Sequence, residues 1–277
     1  MKTERSVSQD IYALPKAVHK EVIGMDMLER YTGCAASELG NYILLTNFTR
    51  YVTEFAERFG VSVVSGSGFQ TVNVPDEDLS LIDYKIGSPT AALVMDLLSF
   101  RKPKPRAVIM LGLCGGLNKR LKVGEFILPI AAIRDDGASQ HYMPAHVPAL
   151  PTFNIQKILS QVLVENGHTY RTGVIHTTDY RFWEFDDEFK QGLIQERAIA
   201  IDMECATLFI TGFAVKVAIG ALMLVSDLPL TKEGIKTKSS ANHVFSQYTK
   251  MHLELGIKAL QELRRRGDTL DVRHFEW

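Results

Sequence analysis

The sequence predicts an α/β protein with a central, largely parallel sheet covered by helices on both faces. Short β-branched or apolar runs alternate with longer stretches of helical periodicity along most of the chain. Several short runs, above all Ala218 to Val225, are apolar throughout, the pattern of strands buried on both faces. A hydrophobic content of 46% over 277 residues is enough to fill one sizeable core.

Residues 1–40 are mixed in character and read as a peripheral N-terminal extension, with ALPKAVHKEVIG as a short helical or arm-like piece. Residues 41–277 read as a single domain, with no internal repeat, low-complexity tract or shift in composition. From Tyr42, YILLT is an apolar strand and Thr46-Asn47 a turn. The helix that follows puts Val52, Phe55, Ala56 and Phe59 on one face and is closed by Gly60. VSVVSGSGF and LSLIDYKIG are strand-like by β-branched content. Ser88 reads as an N-cap, with Pro89 at the first helical position of the segment TAALVMDLLSF.

Ala107 to Leu111 is an apolar strand, and Gly112-Leu113-Cys114-Gly115-Gly116 a glycine-rich turn after it. GEFILPIAAIRDDGASQHY gives a strand and a long polar loop; TFNIQKILSQVLVENG gives an amphipathic helix ending at Gly167. Then come a strand (RTGVIHTTD), a helix (FWEFDDEFKQGLIQER), a strand (AIAID), a helix (ECATLFITGFAV) and a central strand (AIGALMLVSD). A final helix over about 240–265 carries Val244, Tyr248, Met251, Leu255 and Leu260 at helical spacing.

The 31 basic and 32 acidic residues are interspersed, for a net charge of −1, so no basic face offers itself to nucleic acid. No apolar run reaches the ~18 residues of a membrane span, and the N-terminus lacks the apolar core of a signal peptide. No membrane partner and a cytoplasmic location are expected. Cys34, Cys114 and Cys205 are odd in number and far apart, which suits reduced thiols, and no Cys/His spacing suggests zinc. No metal and no cofactor is expected.

In open parallel sheets, ligands bind beyond the carboxyl ends of strands, where loops and helix N-termini present free N–H groups. Three segments lie at such ends: Gly112 to Gly116, Asp202-Met203-Glu204, and Ser226-Asp227. A right-handed strand-helix-strand unit from Ala198 to Val225 would bring the second and third to one edge, so that Glu204 and Asp227 face one crevice. Singly, each has a plainer explanation: a tight loop, a first-turn acid worth ~0.3–1 kcal/mol through the helix dipole, or a cap before Leu228-Pro229. Together they point to a site. Asp202 reads as a cap or a structural partner of the turn, and His176 as a satisfied core histidine.

These segments, in this order, resemble the purine nucleoside phosphorylase and nucleosidase superfamily, and within it the AMP nucleosidase branch. The likeness is carried by RYTG (Arg30 to Gly33), YILLTNFTRYVTEF, GLCGGL, IRDD (Ile133 to Asp136), RTGVIHTTDYRFWE (Arg171 to Glu184), AIDMECAT, VSDLPL and EGIK, and spans roughly residues 28 to 274. It implies a three-layer phosphorylase/hydrolase-like fold with a central mixed, largely parallel sheet flanked by helices. It also implies a short form without the N-terminal regulatory domain of long bacterial members, and a homohexamer.

For the chemistry, the resemblance implies cleavage of a ribosyl N-glycosidic bond through a cation-like sugar, with AMP giving adenine and ribose 5-phosphate. Asp227 matches the general acid that protonates the purine at N7, a role that needs a carboxyl raised by ~3 units, or about 4 kcal/mol. Glu204 matches the residue that accepts hydrogen bonds from the 2′- and 3′-hydroxyls, and is expected to be ionised. Met203 would pack on sugar or base, Phe182 or Trp183 would stack on the purine, and Gly115 and Ser226 belong to the same lining. Arg30, Arg50, Arg134 and Arg181 are candidates for the 5′-phosphate, Arg30 and Arg50 being favoured; Thr177 and Thr178 are hydroxyl donors. RYTG or His141 would act across a subunit interface.

Phosphorylases of the superfamily hold the attacking phosphate with an arginine and a serine near the glycine-rich loop. Met110 to Gly115 carries apolar side chains there instead, which favours water as the nucleophile, although Arg50 matches the family's other phosphate arginine. Two alternatives stay open: a phosphorylase or nucleosidase of unphosphorylated nucleosides, and a catalytically silent nucleotide-binding protein.

Overall fold

The computed structural model describes residues 17–231, 234 and 247–267. Its elements are α1 (Ala17–Thr32), β1 (Tyr42–Thr46), α2 (Thr49–Phe59), β2 (Val64–Ser65), β3 (Gln70–Val74), β4 (Leu79–Asp83), α3 (Ser88–Phe100) and β5 (Ala107–Gly116). They continue with β6 (Phe126–Asp135), α4 (Phe153–Glu165), β7 (Tyr170–Thr178), α5 (Asp187–Glu196), β8 (Ala200–Asp202), α6 (Cys205–Val215), β9 (Ile219–Asp227) and α7 (Thr249–Arg266). Val244 and the rest of the predicted last helix before residue 247 lie outside the described residues, as does EGIK apart from Gly234.

The strands form one mixed sheet in the order β2-β3-β4-β1-β5-β8-β7-β6-β9, and β9 pairs back onto β5, closing β5, β8, β7, β6 and β9 into a ring. Pairings β1–β4, β1–β5, β5–β9, β6–β7 and β7–β8 are parallel; β2–β3, β3–β4, β5–β8 and β6–β9 are antiparallel.

Alternation along each central strand sends apolar side chains to two separate cores. Ile43 and Leu45 of β1, Val108 and Met110 of β5, and Ile219, Ala221 and Met223 of β9 pack with Leu28 of α1, Val94 and Leu98 of α3 and Leu208 of α6. Leu44, Ile109, Leu111, Leu222 and Leu224 face the other way, onto Val52 and Phe55 of α2, Ile158 and Leu159 of α4, and Leu255 and Leu260 of α7. The result is helix, sheet, helix, with β1, β5 and β9 apolar on both sides. Burial of each such Leu or Ile contributes about 1.5–3 kcal/mol.

Three local expectations change. Gly112 to Gly116 is no turn: the segment continues β5, paired to β9 from Val108 and to β8 at Gly115 and Gly116. Glycine serves close packing there, since a Cβ on Gly112 would lie 2.6 Å from Met110 Cε and 2.8 Å from Met223 Cε. Helix α3 starts at Ser88 with Gly87 as its N-cap, at φ 100°, one residue earlier than the Ser-Pro signal implies. Strand β3 (QTVNV) was not expected, because Gln70 and Asn73 interrupt its apolar run while Thr71, Val72 and Val74 are buried.

Candidate active site

Strands β5, β8 and β9 end at one place. Gly115 pairs with Ile201 of β8 and, past a bulge after Cys114, with Asp227 of β9. Strand β8 runs antiparallel to β5 and is not a neighbour of β9, so the expected parallel crossover from Ala198 to Val225 is absent. The convergence of Glu204 and Asp227 comes instead from closure of the ring, which brings the carboxyl ends of two oppositely running strand groups together.

A cavity of about 120 Å³ lies at this junction, lined by Leu113, Cys114 and Gly115, by Ile201 to Glu204, and by Ser226 and Asp227. Asn47, Phe48 and Ile86 form another wall, and Arg181, Trp183 and Glu184 the remaining side. Larger hollows lie elsewhere, one of about 550 Å³ with Phe153 and Phe213 and one of about 990 Å³ beside α5. Neither is lined by a pair of carboxylates; two further hollows are, one of about 850 Å³ with Glu21 and Asp96 and one of about 360 Å³ with Glu54, Glu57 and Glu254, but their acids stand among lysines or arginines on helices and not at the carboxyl ends of strands.

Asp202 closes the end of β8 and caps α6. Its Oδ2 accepts from the backbone N–H of Cys205 at 2.8 Å and of Glu204 at 3.2 Å, and its Oδ1 accepts from Thr177 Oγ1 at 2.6 Å. Glu204, 2% exposed, accepts from the backbone N–H of Gly87 at 2.8 Å through Oε1 and from the side chain of Asn47. Burial first, and the charge of Asp202 second, push the Glu204 carboxyl up to about 8. Asp202 is also raised by burial, but its hydrogen bonds from Thr177, Cys205 and Glu204 oppose the shift. Of the two, Glu204 is the member pushed toward its protonated form by its neighbour's charge, while the donors around Asp202 favour its charged form. The expectation of an ionised Glu204 therefore changes: burial and the charge of Asp202 outweigh the hydrogen bonds from Gly87, Asn47 and Met203, and the sequence shows neither.

At the end of β9, Ser226 Oγ lies 2.5 Å from Asp227 Oδ1 and 3.2 Å from the carbonyl oxygen of Cys114. Among the other expected residues, Met203, Gly115 and Trp183 line the cavity. Trp183 is 6% exposed and also packs on Phe189, whereas Phe182 is 66% exposed and outside the lining. Thr178 is buried, with Oγ1 donating to Asp135 at 2.9 Å, and is not part of the wall.

The arginines divide. Arg181 lines the cavity and donates to Glu184 Oε1 at 2.9 Å. Arg50, at the start of α2, is outside the lining and pairs with Glu54 at 2.8 Å. Arg30, in the last turn of α1, is exposed beside the Tyr31 ring and also outside. Arg134 spends its guanidinium on Ser139 Oγ and on the carbonyls of Ser139, Met143, Pro144 and Val147, so it braces a loop. His141 is exposed on the 3₁₀ turn Ala138–His141. His176 is buried between Glu196 at 2.7 Å and Asp135 at 3.3 Å, a satisfied core histidine.

Asn47, Gly87 and Glu184 were not singled out in the sequence. Asn47 follows the carboxyl end of β1, and the rule that flags Asp202 and Asp227 flags it too. Gly87 sits in the connection before α3, and Glu184 on the 3₁₀ turn Trp183–Phe185 that stands apart from α5, inside a segment the sequence reads as one helix from Phe182. Among the described residues, no group of three or more His, Cys, Asp or Glu is placed to hold a metal ion, and no helix is long and apolar enough to cross a membrane.

A family model described as the phosphorylase superfamily matches residues 35–253. AMP nucleosidase of Escherichia coli (strain K12) is 30% identical, over 89% of this chain and 60% of its own length, so the chain spans only that part of its relative. The crystal structure of AMP nucleosidase from Bacteroides thetaiotaomicron VPI-5482 is 38% identical and superposes with a TM-score of 0.77, covering 89% of this chain and 98% of that one. Uridine phosphorylase from Vibrio fischeri ES114, at 20% identity and a TM-score of 0.73 over 87% of this chain and 98% of its own, shares the fold. The ring-closed sheet, the junction at its rim and these likenesses agree: the chain belongs to the phosphorylase superfamily.

Proposed function

We propose that this chain is an N-glycosidase that hydrolyses AMP to adenine and ribose 5-phosphate. The observation that carries the proposal is the meeting of Glu204 and Asp227 in one cavity whose β5 wall is Leu113, Cys114 and Gly115, apolar where a phosphorylase needs polar ligands for phosphate. The likeness to two AMP nucleosidases, at 30% and 38% identity, supports the choice of a nucleotide substrate.

Asp227 is the general acid, delivering a proton toward N7 so that the purine departs neutral. The hydroxyl of Ser226 has one proton for two acceptors, Cys114 O and Asp227 Oδ1. Its donation to Oδ1 at 2.5 Å holds the Asp227 carboxyl in place at the end of β9. Glu204 takes the ribose 2′- and 3′-hydroxyls; two O–H donors favour its ionised form, so substrate binding draws off the proton that burial holds there. Met203 and Trp183 pack on sugar and base. Arg30 and Arg50, which lie outside the lining, are assigned to the 5′-phosphate and the exposed Phe182 to an outer substrate contact; Thr178, buried and donating to Asp135, takes no such role. In the same proposal residues 41–277 form the catalytic domain of a cytoplasmic homohexamer.

Incubation with AMP and with adenosine, each with and without phosphate, tests this. Adenine release from AMP without phosphate is expected; phosphate-dependent release from adenosine alone would overturn it. Light scattering tests the hexamer.

A further inference from the structure

Glu184 stands in the cavity wall with half of its carboxylate unused. Its side chain is 6% exposed, Oε1 takes the Arg181 guanidinium at 2.9 Å, and Oε2 is buried without a hydrogen-bond partner among the described residues. A buried acceptor held in place by an ion pair and left unsatisfied is a site for an N–H or O–H donor from a ligand. Asp202, Glu204 and Asp227 all carry hydrogen bonds from the protein; Oε2 of Glu184 carries none.

A purine offers N7 and the C6 substituent side by side on one edge. In a 6-aminopurine that edge is one acceptor, N7, beside one donor, the exocyclic amine; in a 6-oxopurine it is two acceptors. Asp227 as proton donor and Glu184 as acceptor, in the wall of the same cavity, complement the first and oppose the second. We propose that Glu184 is the specificity-determining residue of the site, accepting a hydrogen bond from the 6-amino group through Oε2 and rejecting 6-oxopurines. This rests on the assignment of Asp227 to N7. Discrimination of this kind is strong, because the wrong base leaves two buried acceptors facing each other.

The test uses the full chain and free bases, so that it does not depend on turnover. Calorimetric titration is expected to show adenine bound at least tenfold more tightly than hypoxanthine, and also more tightly than purine with no C6 substituent. In Glu184→Gln, whose amide can donate as well as accept, the adenine preference should fall at least tenfold and hypoxanthine binding should strengthen, a gain that misfolding cannot produce. The comparison of adenine with unsubstituted purine on the unaltered chain stands even if the variant does not fold. Equal binding of the three bases, or a preference that survives in folded Glu184→Gln, would overturn the inference. Adenine preference without hydrolysis of AMP would leave it intact and remove the proposed activity instead.

Discussion

The backbone N–H of Gly87 donates to Oε1 of Glu204 at 2.8 Å, tying the start of α3 to the hinge between β8 and α6. Gly87 is held at φ 100°, ψ 159°, a conformation that side chains resist, although a Cβ there has space, with Pro89 Cδ nearest at 3.8 Å. Gly87→Ala should therefore act through the backbone alone, costing about 1–3 kcal/mol or moving the N–H away from Glu204. A folded variant with AMP hydrolysis reduced at least tenfold is expected; full activity would show that the bond is dispensable.

Replacing the acid should spare binding and stop chemistry. Asp227→Asn is expected to lower kcat by ~10² or more, the range for loss of a general acid, with little change in KM. Steady-state kinetics on AMP decide it, and unchanged turnover would remove Asp227 from the mechanism.

Glu204 sets one limb of the pH dependence of stability. Its carboxyl is raised to about 8 from 4.5, so between these values the native state binds the extra proton and the unliganded protein loses stability as pH rises. Glu204→Gln removes that slope. The variant should be more stable than the parent at pH 8, by an amount on the order of a few kcal/mol, with the difference fading toward pH 5. Urea unfolding at both pH values measures it, and ribose recognition should be lost in the same protein.

His252 sets the opposite limb. It is fully buried, takes the Tyr51 hydroxyl on Nδ1 at 2.8 Å and donates from Nε2 to the carbonyl of Leu222 at 2.9 Å; burial lowers its pKa from 6.5 to about 4. Between these values the unfolded chain takes up the proton, so stability falls with pH from 6.5 to 4, by about 3 kcal/mol in all. His252→Gln should be less stable at pH 7 but show a smaller loss on acidification. An unchanged acid limb would assign it to other groups.

Much of this was legible in the sequence, for reasons visible in particular residues. The two-faced apolar runs of β1, β5 and β9 announce their burial, and Gly60 ends α2 in the left-handed conformation, at φ 65°. The glycines of β5 misled because glycine signals a turn locally, while its need here is set by Met110 and Met223, the latter from a distant strand. The meeting of Glu204 with Asp227 was anticipated through a crossover that does not exist, since strand direction depends on pairings remote in sequence. Side-chain protonation and orphaned oxygens, as at Glu204 and Glu184, follow from packing around each atom and leave no trace in residue order.

Ring closure also bears on how the molecule comes to exist. Strand β5 pairs with β9 along most of its length, so a chain emerging from the ribosome holds β5 with one open edge until residues 219–227 are made. Pairings this remote are slow to form, and the exposed edge invites association with other nascent chains in the interval. Asp227, at the end of the strand that shuts the ring, arrives with that strand, so no shorter nascent chain assembles the junction.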